Sequence, residues 1–431
     1  MDLLLQNGRV VCPETGRDEL LDVLCKGGRI AAVEPPGKLP RIAGSRLLDA
    51  AGLWIVPSLF DLHVHLREPG GEHKETIRTG LAAAAAGGFS DVCCMPNTQP
   101  VNDCPEITRL ILDRAAGLSV RVHPVAALTR GLAGKEINDY PALRQAGAAA
   151  LSDDGKPVPD ARVMRKAMER ARDAGLTVCA HCEEPSLFEN GVVNEGTFSA
   201  RSGFAGISWA SETIGVLRDI SLAELTGCRL HICHVSARQS VQAVFEAKAR
   251  GVPVTCETAP HYFTLTEEAV ADLGSMAKMN PPLRTAEDVA AVRRGLADGT
   301  IDAIATDHAP HAIEDKEGDI ARAAFGISGL ETAVSLSLVL VHERVLPPLA
   351  LVRKLTVDPA RILGLPRRGV IAGAPADLTV INPAAAVCIS AERFYSKGKN
   401  TPFAGMELSG KVEATLIAGE FVFASETICL Q

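Results

Sequence analysis

No Lys/Arg-rich stripe runs anywhere in these 431 residues, and 44 basic against 52 acidic side chains leave a formal charge of −8. Nucleic acid is therefore a poor partner, because phosphate contacts need such a cationic stripe. Long apolar runs are missing as well. The Ala-rich stretch Leu81–Phe89 is short, and alanine and glycine make a poor hydrocarbon-soluble helix, so no membrane span is expected. The N-terminus, MDLLLQNGRV, carries Asp2 and has neither a basic n-region nor a cleavage site, so no secretory signal is expected there. Nor is there a Gly-rich phosphate turn of the kind a doubly wound dinucleotide fold requires after its first strand. Internal repeats beyond a βα alternation and low-complexity linkers are also absent.

Cysteine is not scarce. Twelve are scattered along the chain, many inside apolar runs such as Val92–Met95 and Leu230–Val235. Buried free thiols in a reducing cytoplasm fit this usage better than disulfides. Cys179-x-x-Cys182 has the spacing of a redox pair, but it flanks His181 inside an apolar strand, which favours packing. With 47% apolar and 22% charged residues, the composition is that of an ordinary soluble globular enzyme.

Two textures alternate along the chain. Residues 1–55 read as short strands: Leu3–Gln6, an Asn7-Gly8 hairpin signal, Val10–Cys12, Leu20–Cys25 and Ile30–Val33. After Leu363 the same texture returns in Gly369–Ile371, Ala376–Ile381, Thr415–Ile417 and Glu420–Phe423. Between them, eight apolar strands alternate with helical stretches such as Glu75–Ala86, Asp160–Ala174, Trp209–Leu225 and Ala237–Ala249. The strands are Leu53–Asp61, Asp91–Met95, Val120–Ala127, Ala148–Asp153, Thr177–His181, Arg229–Val235, Val252–Thr258 and Asp302–Thr306. Eight βα units over roughly 250 residues are what a closed (β/α)8 barrel requires. The expected fold is α/β: a TIM-like barrel over residues 56–364, with residues 1–55 and 365–431 pairing into a small β-sandwich beside it.

The stretch that organises the chain is WIVPSLFDLHVHLREPG, Trp54 to Gly70. Residues two apart on a strand share a face, so His63 and His65 project together while Val64 turns into packing. Two imidazoles on one rigid strand form half a divalent-metal site. By itself this is weak, since a barrel strand can end in two histidines without a ligand role. The other strand ends strengthen it. They carry Asn97, Asp153-Asp154-Gly155, His181, His234 and Asp307 to His311, at the barrel face where such enzymes place their chemistry. Buried Asp and His are costly unless paired or metal-bound, so their collection there points to a metal. Each also has a plainer reading. Asp153 or Asp154 could cap a helix, Asp61 could orient a ligand histidine, and His231, three before His234, faces packing. His261 is a marginal candidate for the pocket wall, and His73, His123 and His342 carry no role. An anionic substrate would need a local cation, which singles out Arg67.

The segments DLHVHLREPG, MPNTQP, SDDG, AHCE, CHVS, NPPLR, ATDHAPH and FGISGLE resemble, in order and across nearly the whole chain, the bacterial dihydroorotases among the cyclic amidohydrolases. The resemblance implies zinc, one or two ions per chain: His63, His65 and Asp307 on one, His181 and His234 on a second. Many relatives bridge the two with a carboxylated lysine. Here an Asp-Gly resembles the branch that uses aspartate, which implies Asp154 as the bridge; strand parity alone leaves Asp153 open, and Lys156 comes two residues late. The resemblance further implies that Arg67, Asn97 and His311 hold a substrate carboxylate, that Asn280 faces the ring, and that Asp307 moves the catalytic proton. The implied reaction is reversible cyclisation of N-carbamoyl-L-aspartate to L-dihydroorotate in pyrimidine biosynthesis, in the cytoplasm, with a homodimer or a complex with aspartate transcarbamoylase as open assemblies. Two alternatives stand beside it. One is a dihydropyrimidinase, hydantoinase or allantoinase-type enzyme, whose ring lacks the carboxylate. The other is a silent homologue scaffolding the transcarbamoylase, which should have lost ligands that are all present here.

Overall fold

A computed structural model describes residues 2–40, 44–366 and 369–429; the remaining positions of the expected end domain lie outside them. Eight strands follow one another in chain order, each parallel to the next: Leu59–Val64, Phe89–Cys94, Arg121–Ala126, Ala150–Leu151, Thr177–Ala180, Leu230–Ile232, Val254–Thr258 and Ala303–Ile304. The ring closes where Val64 bridges His308 in parallel and the His65 amide donates to the His308 carbonyl at 2.8 Å. Below that seam Asp61 accepts from the amides of His63 and Thr306, both at 3.1 Å. Asp61 thus clamps strand one to strand eight through the backbone, and does not orient an imidazole as the sequence suggested.

The βα alternation forms for local reasons. Thr76 caps the helix Ile77–Ala86, and Asp160 caps Ala161–Ala174, which ends at the left-handed Gly175. Helices Trp209–Thr226 and Arg238–Ala249 lie between later strands. Inside the barrel, Phe60, Leu62, Cys93, Val125, Ala150, Cys179 and Ala303 form one apolar plug. Val64 belongs instead to the large cluster shared with the helices. The pairing register slips between Asp61 and Val64, and beyond the slip His63 and His65 both face the site.

Both ends of the chain meet in one eight-stranded sheet with its own apolar cluster. Its seam is Trp54–Pro57, parallel to Leu3–Cys12 and antiparallel to Leu378–Cys388. The expected first barrel strand, Leu53–Asp61, is therefore two strands. At Ser58 the amide goes to the Asp377 carbonyl at 3.0 Å, and the chain leaves one sheet for the other. Asn7-Gly8 is a bulge and not a hairpin. Asn7 takes φ 60 and its amide is held by Asp22, while the strand continues to Cys12. A Cβ at Gly8 would stand 2.4 Å from Ile55 Cδ1 and 2.8 Å from Ile55 Cγ1, so a larger residue would have to displace the buried Ile55 side chain. Gly369–Ile371 forms no strand; the Val370 amide bonds to Cys12 Sγ instead.

All twelve cysteines are free, nine of them buried. Cys182 Sγ faces Asp219 at 3.6 Å, so the Cys-x-x-Cys pair is no disulfide. Among the described residues no helix is long and apolar enough to cross a membrane.

Candidate metal centre and active site

At the C-terminal ends of the barrel strands, two pairs of imidazoles face each other across one carboxylate. His63 Nε2 lies 3.3 Å from Asp154 Oδ1 and 3.5 Å from Asp307 Oδ1. His65 Nε2 lies 3.3 Å from Asp307 Oδ1 and 3.6 Å from Asp154 Oδ2. On the far side, Asp154 Oδ1 is 3.7 Å from His234 Nε2 and 3.8 Å from His181 Nδ1, and these two nitrogens are 3.0 Å apart. Asp154 therefore stands between the pairs. Asp153 turns the other way and takes the amide and hydroxyl of Thr129. Lys156 is exposed at the cavity mouth.

Electrostatics follow from packing these charges out of water. Burial alone would raise Asp154, but the charge of His63 facing it, with His234 and His65 close by, holds it well below the usual carboxylate range. Asp307 is likewise held down, by His65 and His63, against its burial. Burial opposes protonation of His63, yet Asp154 and Glu257 raise it well above the ordinary imidazole value. His181 is raised by Glu183 against its burial, whereas in His65 burial wins and the value falls.

The donor set fits a divalent cation. His63 Nε2 and Asp154 Oδ1 are buried and have no hydrogen-bond partner, although they face each other. Orphaned buried polar atoms are costly, and a cation among them would satisfy both. The groups His63, His65, Asp154 and Asp154, His181, His234 each offer ligand atoms within 4.8 Å of one another, so Asp154 is common to both. His234 (φ 38) and Asp307 (φ 49) take left-handed backbone, a strain that non-glycine residues accept mainly at functional sites.

A cavity of about 520 Å³ opens beside the cluster. Of the metal and substrate residues that the resemblance implies, all line it except His63 and His311, which lie behind the wall. Arg67 reaches it differently from the parity argument, since the strand stops at Val64 and φ 59 at Arg67 swings the side chain inward. Its Nε donates to the Pro310 carbonyl at 3.1 Å. Burial pushes the guanidinium down to about 10, which still leaves it charged at neutral pH. Glu68 and Glu72 pair with Arg114 and leave Arg67 alone. His311 sits behind it, with Nε2 2.8 Å from the Phe325 carbonyl and Nδ1 3.3 Å from Lys74 Nζ. The carbonyl requires Nε2–H, so this nitrogen cannot accept from Arg67 Nη2 at 3.2 Å. An edge of the guanidinium is thereby left for an anion in the cavity.

Asn97 gives its Oδ1 to His65 Nδ1 at 2.9 Å, while Nδ2 is 3.5 Å from Asp154 Oδ2. Asn280 donates to Glu183 at 3.1 Å, and its buried Oδ1 has no partner. His261 is buried without lining the cavity, and burial lowers it to about 4.

Sequence reasoning missed three residues. Glu257 contacts His63 Nδ1 at 3.2 Å and His231 Nε2 at 3.2 Å, so His231 is not mere packing. Strand parity misled there because the strand ends at Ile232, before the left-handed turn at His234. Glu183 reaches His181 at 3.8 Å. A lone acid at the end of the seventh apolar strand, Glu257 in TCETAPH, was the available signal.

A family model described as dihydro-orotase-like matches residues 52–240. A protein of Desulforapulum autotrophicum named dihydroorotase is 54% identical over 411 residues, covering 95% of this chain and 96% of its own. Another so named, from Geotalea daltonii, is 50% identical and covers 98% of this chain and 99% of its own. Among solved structures, the L-hydantoinase (dihydropyrimidinase) of Arthrobacter aurescens superposes with a TM-score of 0.88 at 24% identity, over 99% of this chain and 97% of that one. A dihydropyrimidinase from Brevibacillus agri gives 0.86 at 21% identity, over 99% and 96%. At such identities the structural likeness speaks for the fold alone.

Proposed function

The chain belongs to the dihydroorotase family, and from that premise we propose that it catalyses the reversible ring closure of N-carbamoyl-L-aspartate to L-dihydroorotate in the barrel-mouth cavity. The observation that carries the substrate is Arg67, a charged guanidinium with a free edge beside the carboxylate and imidazole cluster. A guanidinium fork grips a carboxylate with two parallel hydrogen bonds. A ring lacking the carboxylate would leave that charge unmatched.

His63, His65 and Asp307 would hold one zinc ion, His181 and His234 a second, and Asp154 both. When bound, zinc would supply Lewis acidity, bringing the pKa of water to about 7 and polarising the ring amide. Arg67 and the Asn97 amide group orient the substrate carboxylate, with His311 bracing from behind, and Asn280 faces the ring. Fixing the ring in this way limits the rotational freedom lost at the transition state. Asp307, held as a carboxylate by its histidines, accepts a proton during hydrolysis and returns it to the departing ring nitrogen; cyclisation runs the same transfers backwards.

The proposed division is a barrel of residues 56–364 and a small β domain of 1–55 with 365–431, supported by two separate apolar clusters. A cytoplasmic location accords with twelve free thiols. A homodimer and a transcarbamoylase complex are the assemblies to look for, by size-exclusion chromatography with and without that partner. The deciding experiment is metal analysis of the purified protein together with hydrolysis of dihydroorotate, dihydrouracil and hydantoin. Zinc with a preference for dihydroorotate is expected; a metal-loaded protein that prefers an uncharged ring would overturn the reading.

A further inference from the structure

Glu257 has no place in the chemistry proposed so far, yet it is a fully buried acid directly beneath the metal cluster. It stands on the seventh barrel strand, Val254–Thr258. Oε1 is 3.2 Å from His63 Nδ1, and Oε2 is 3.2 Å from His231 Nε2. His231 is tied in turn, with Nδ1 2.9 Å from Thr255 Oγ1, and that hydroxyl is 3.4 Å from the Leu230 carbonyl. A chain of polar contacts therefore runs from the sixth strand through Glu257 to the first.

From this geometry we infer that Glu257 is the positioning residue of His63, selecting which ring nitrogen faces the metal, with His231 holding the carboxylate in place. The inference rests on the reading of His63 as a metal ligand. An ionised carboxylate only accepts, so its contact with Nδ1 requires Nδ1–H. In neutral imidazole the lone pair then resides on Nε2. Nε2 is the atom turned towards Asp154 and Asp307, and it lacks a hydrogen-bond partner. A lone pair aimed at two carboxylates is repulsive until a cation stands between them. Holding the far nitrogen of a ligand histidine on a carboxylate also fixes ring orientation and raises ligand basicity. Asn97 makes the corresponding contact with His65 through a neutral amide oxygen. Glu257 alone, of these two contacts, brings a full charge.

The test needs no catalytic readout. Zinc affinity of the full-length protein is measured by competition with a chelator for wild type, Glu257→Leu, Glu257→Gln and His63→Ala. Side-chain tautomers are read from nitrogen-15 histidine spectra of the zinc-loaded protein, in which His63 is neutral, with the His63 signal assigned by its loss in His63→Ala. Glu257→Leu should weaken zinc binding by about 10- to 100-fold, and Glu257→Gln, which keeps an acceptor without the charge, should fall between it and wild type. The wild-type His63 signal should show Nδ1–H. If His63→Ala binds zinc as tightly as wild type, the ligand reading itself fails. If His63→Ala loses zinc while Glu257→Leu keeps wild-type affinity, the positioning role is overturned. Should the leucine variant not fold, an Nε2–H tautomer at His63 in the wild-type protein overturns it equally.

Discussion

Arg67 and Asp307 carry the two sharpest expectations at the scale of single residues. Arg67→Met should reduce kcat/KM for dihydroorotate by about 2–5 kcal/mol, the loss that follows when a desolvated charge pair is broken. Any weak hydrolysis of dihydrouracil, which has no carboxylate, should be almost untouched. Kinetics on both rings, with zinc measured in each preparation, check this; equal loss on both would mean that Arg67 supports the fold and not recognition. Asp307→Asn keeps the shape of the side chain but cannot take up a proton. Turnover should fall roughly 10²–10⁴-fold, and a zinc-replete variant with near-normal turnover would place the base elsewhere. Much at this scale was legible beforehand, because His63, His65, His181, His234 and Asp307 all end apolar strands in the sequence. Glu257 showed only as a lone acid at a strand end, which acquires meaning when His63, 194 positions away, is found against it.

Between elements, the decisive piece comes from the tail. Asn400, buried far from the barrel in sequence, accepts from the His311 amide at 2.9 Å and the Ser328 hydroxyl at 3.1 Å. It also donates to the carbonyls of Ala309 at 3.1 Å and Gly326 at 3.0 Å. Ala309 and Gly326 line the cavity on the Arg67 side. Asn400→Ala would orphan these buried groups and cost on the order of 3 kcal/mol in stability. Because the two loops shape the cavity wall, KM should rise more than kcat falls. Thermal unfolding and steady-state kinetics together check this, and an unchanged melting temperature would remove the clamp. Strand ends also show why elements read better than their boundaries. The apolar run from Leu53 to Val64 is unbroken in character, and only the exchange of partners at Ser58 divides it.

Across the molecule, proton and metal compete for one cluster. His63 and His181 are raised by neighbouring carboxylates, so in the metal-free protein they stay protonated to higher pH than free imidazole. Metal must displace those protons, and apparent zinc affinity should fall as pH drops, by about tenfold per unit for each proton displaced. Chelator competition at pH 8 and pH 6 reads this directly; a flat profile would place the metal on other groups. Asp154 supplies a carboxylate without prior carboxylation, so activity should not depend on bicarbonate. Large recovery on adding bicarbonate to enzyme purified under CO₂-depleted conditions would point to a lysine such as Lys156.

The alternation of strands and helices in the barrel and the residue types at the strand ends were legible in the sequence, because both depend on local periodicity and short-range turn chemistry. The division of Leu53–Val64 at Ser58 and the bulge at Asn7-Gly8, in contrast, depended on partners found only in the fold. That Asp154 faces the imidazoles, and Asp153 does not, depends on which carboxylate Thr129 captures. The inward turn of Arg67, the retreat of His311 behind it and the contact between Glu257 and His63 depended on left-handed backbone and barrel closure. Those are contacts between residues far apart in the chain, and only the tertiary structure could decide them.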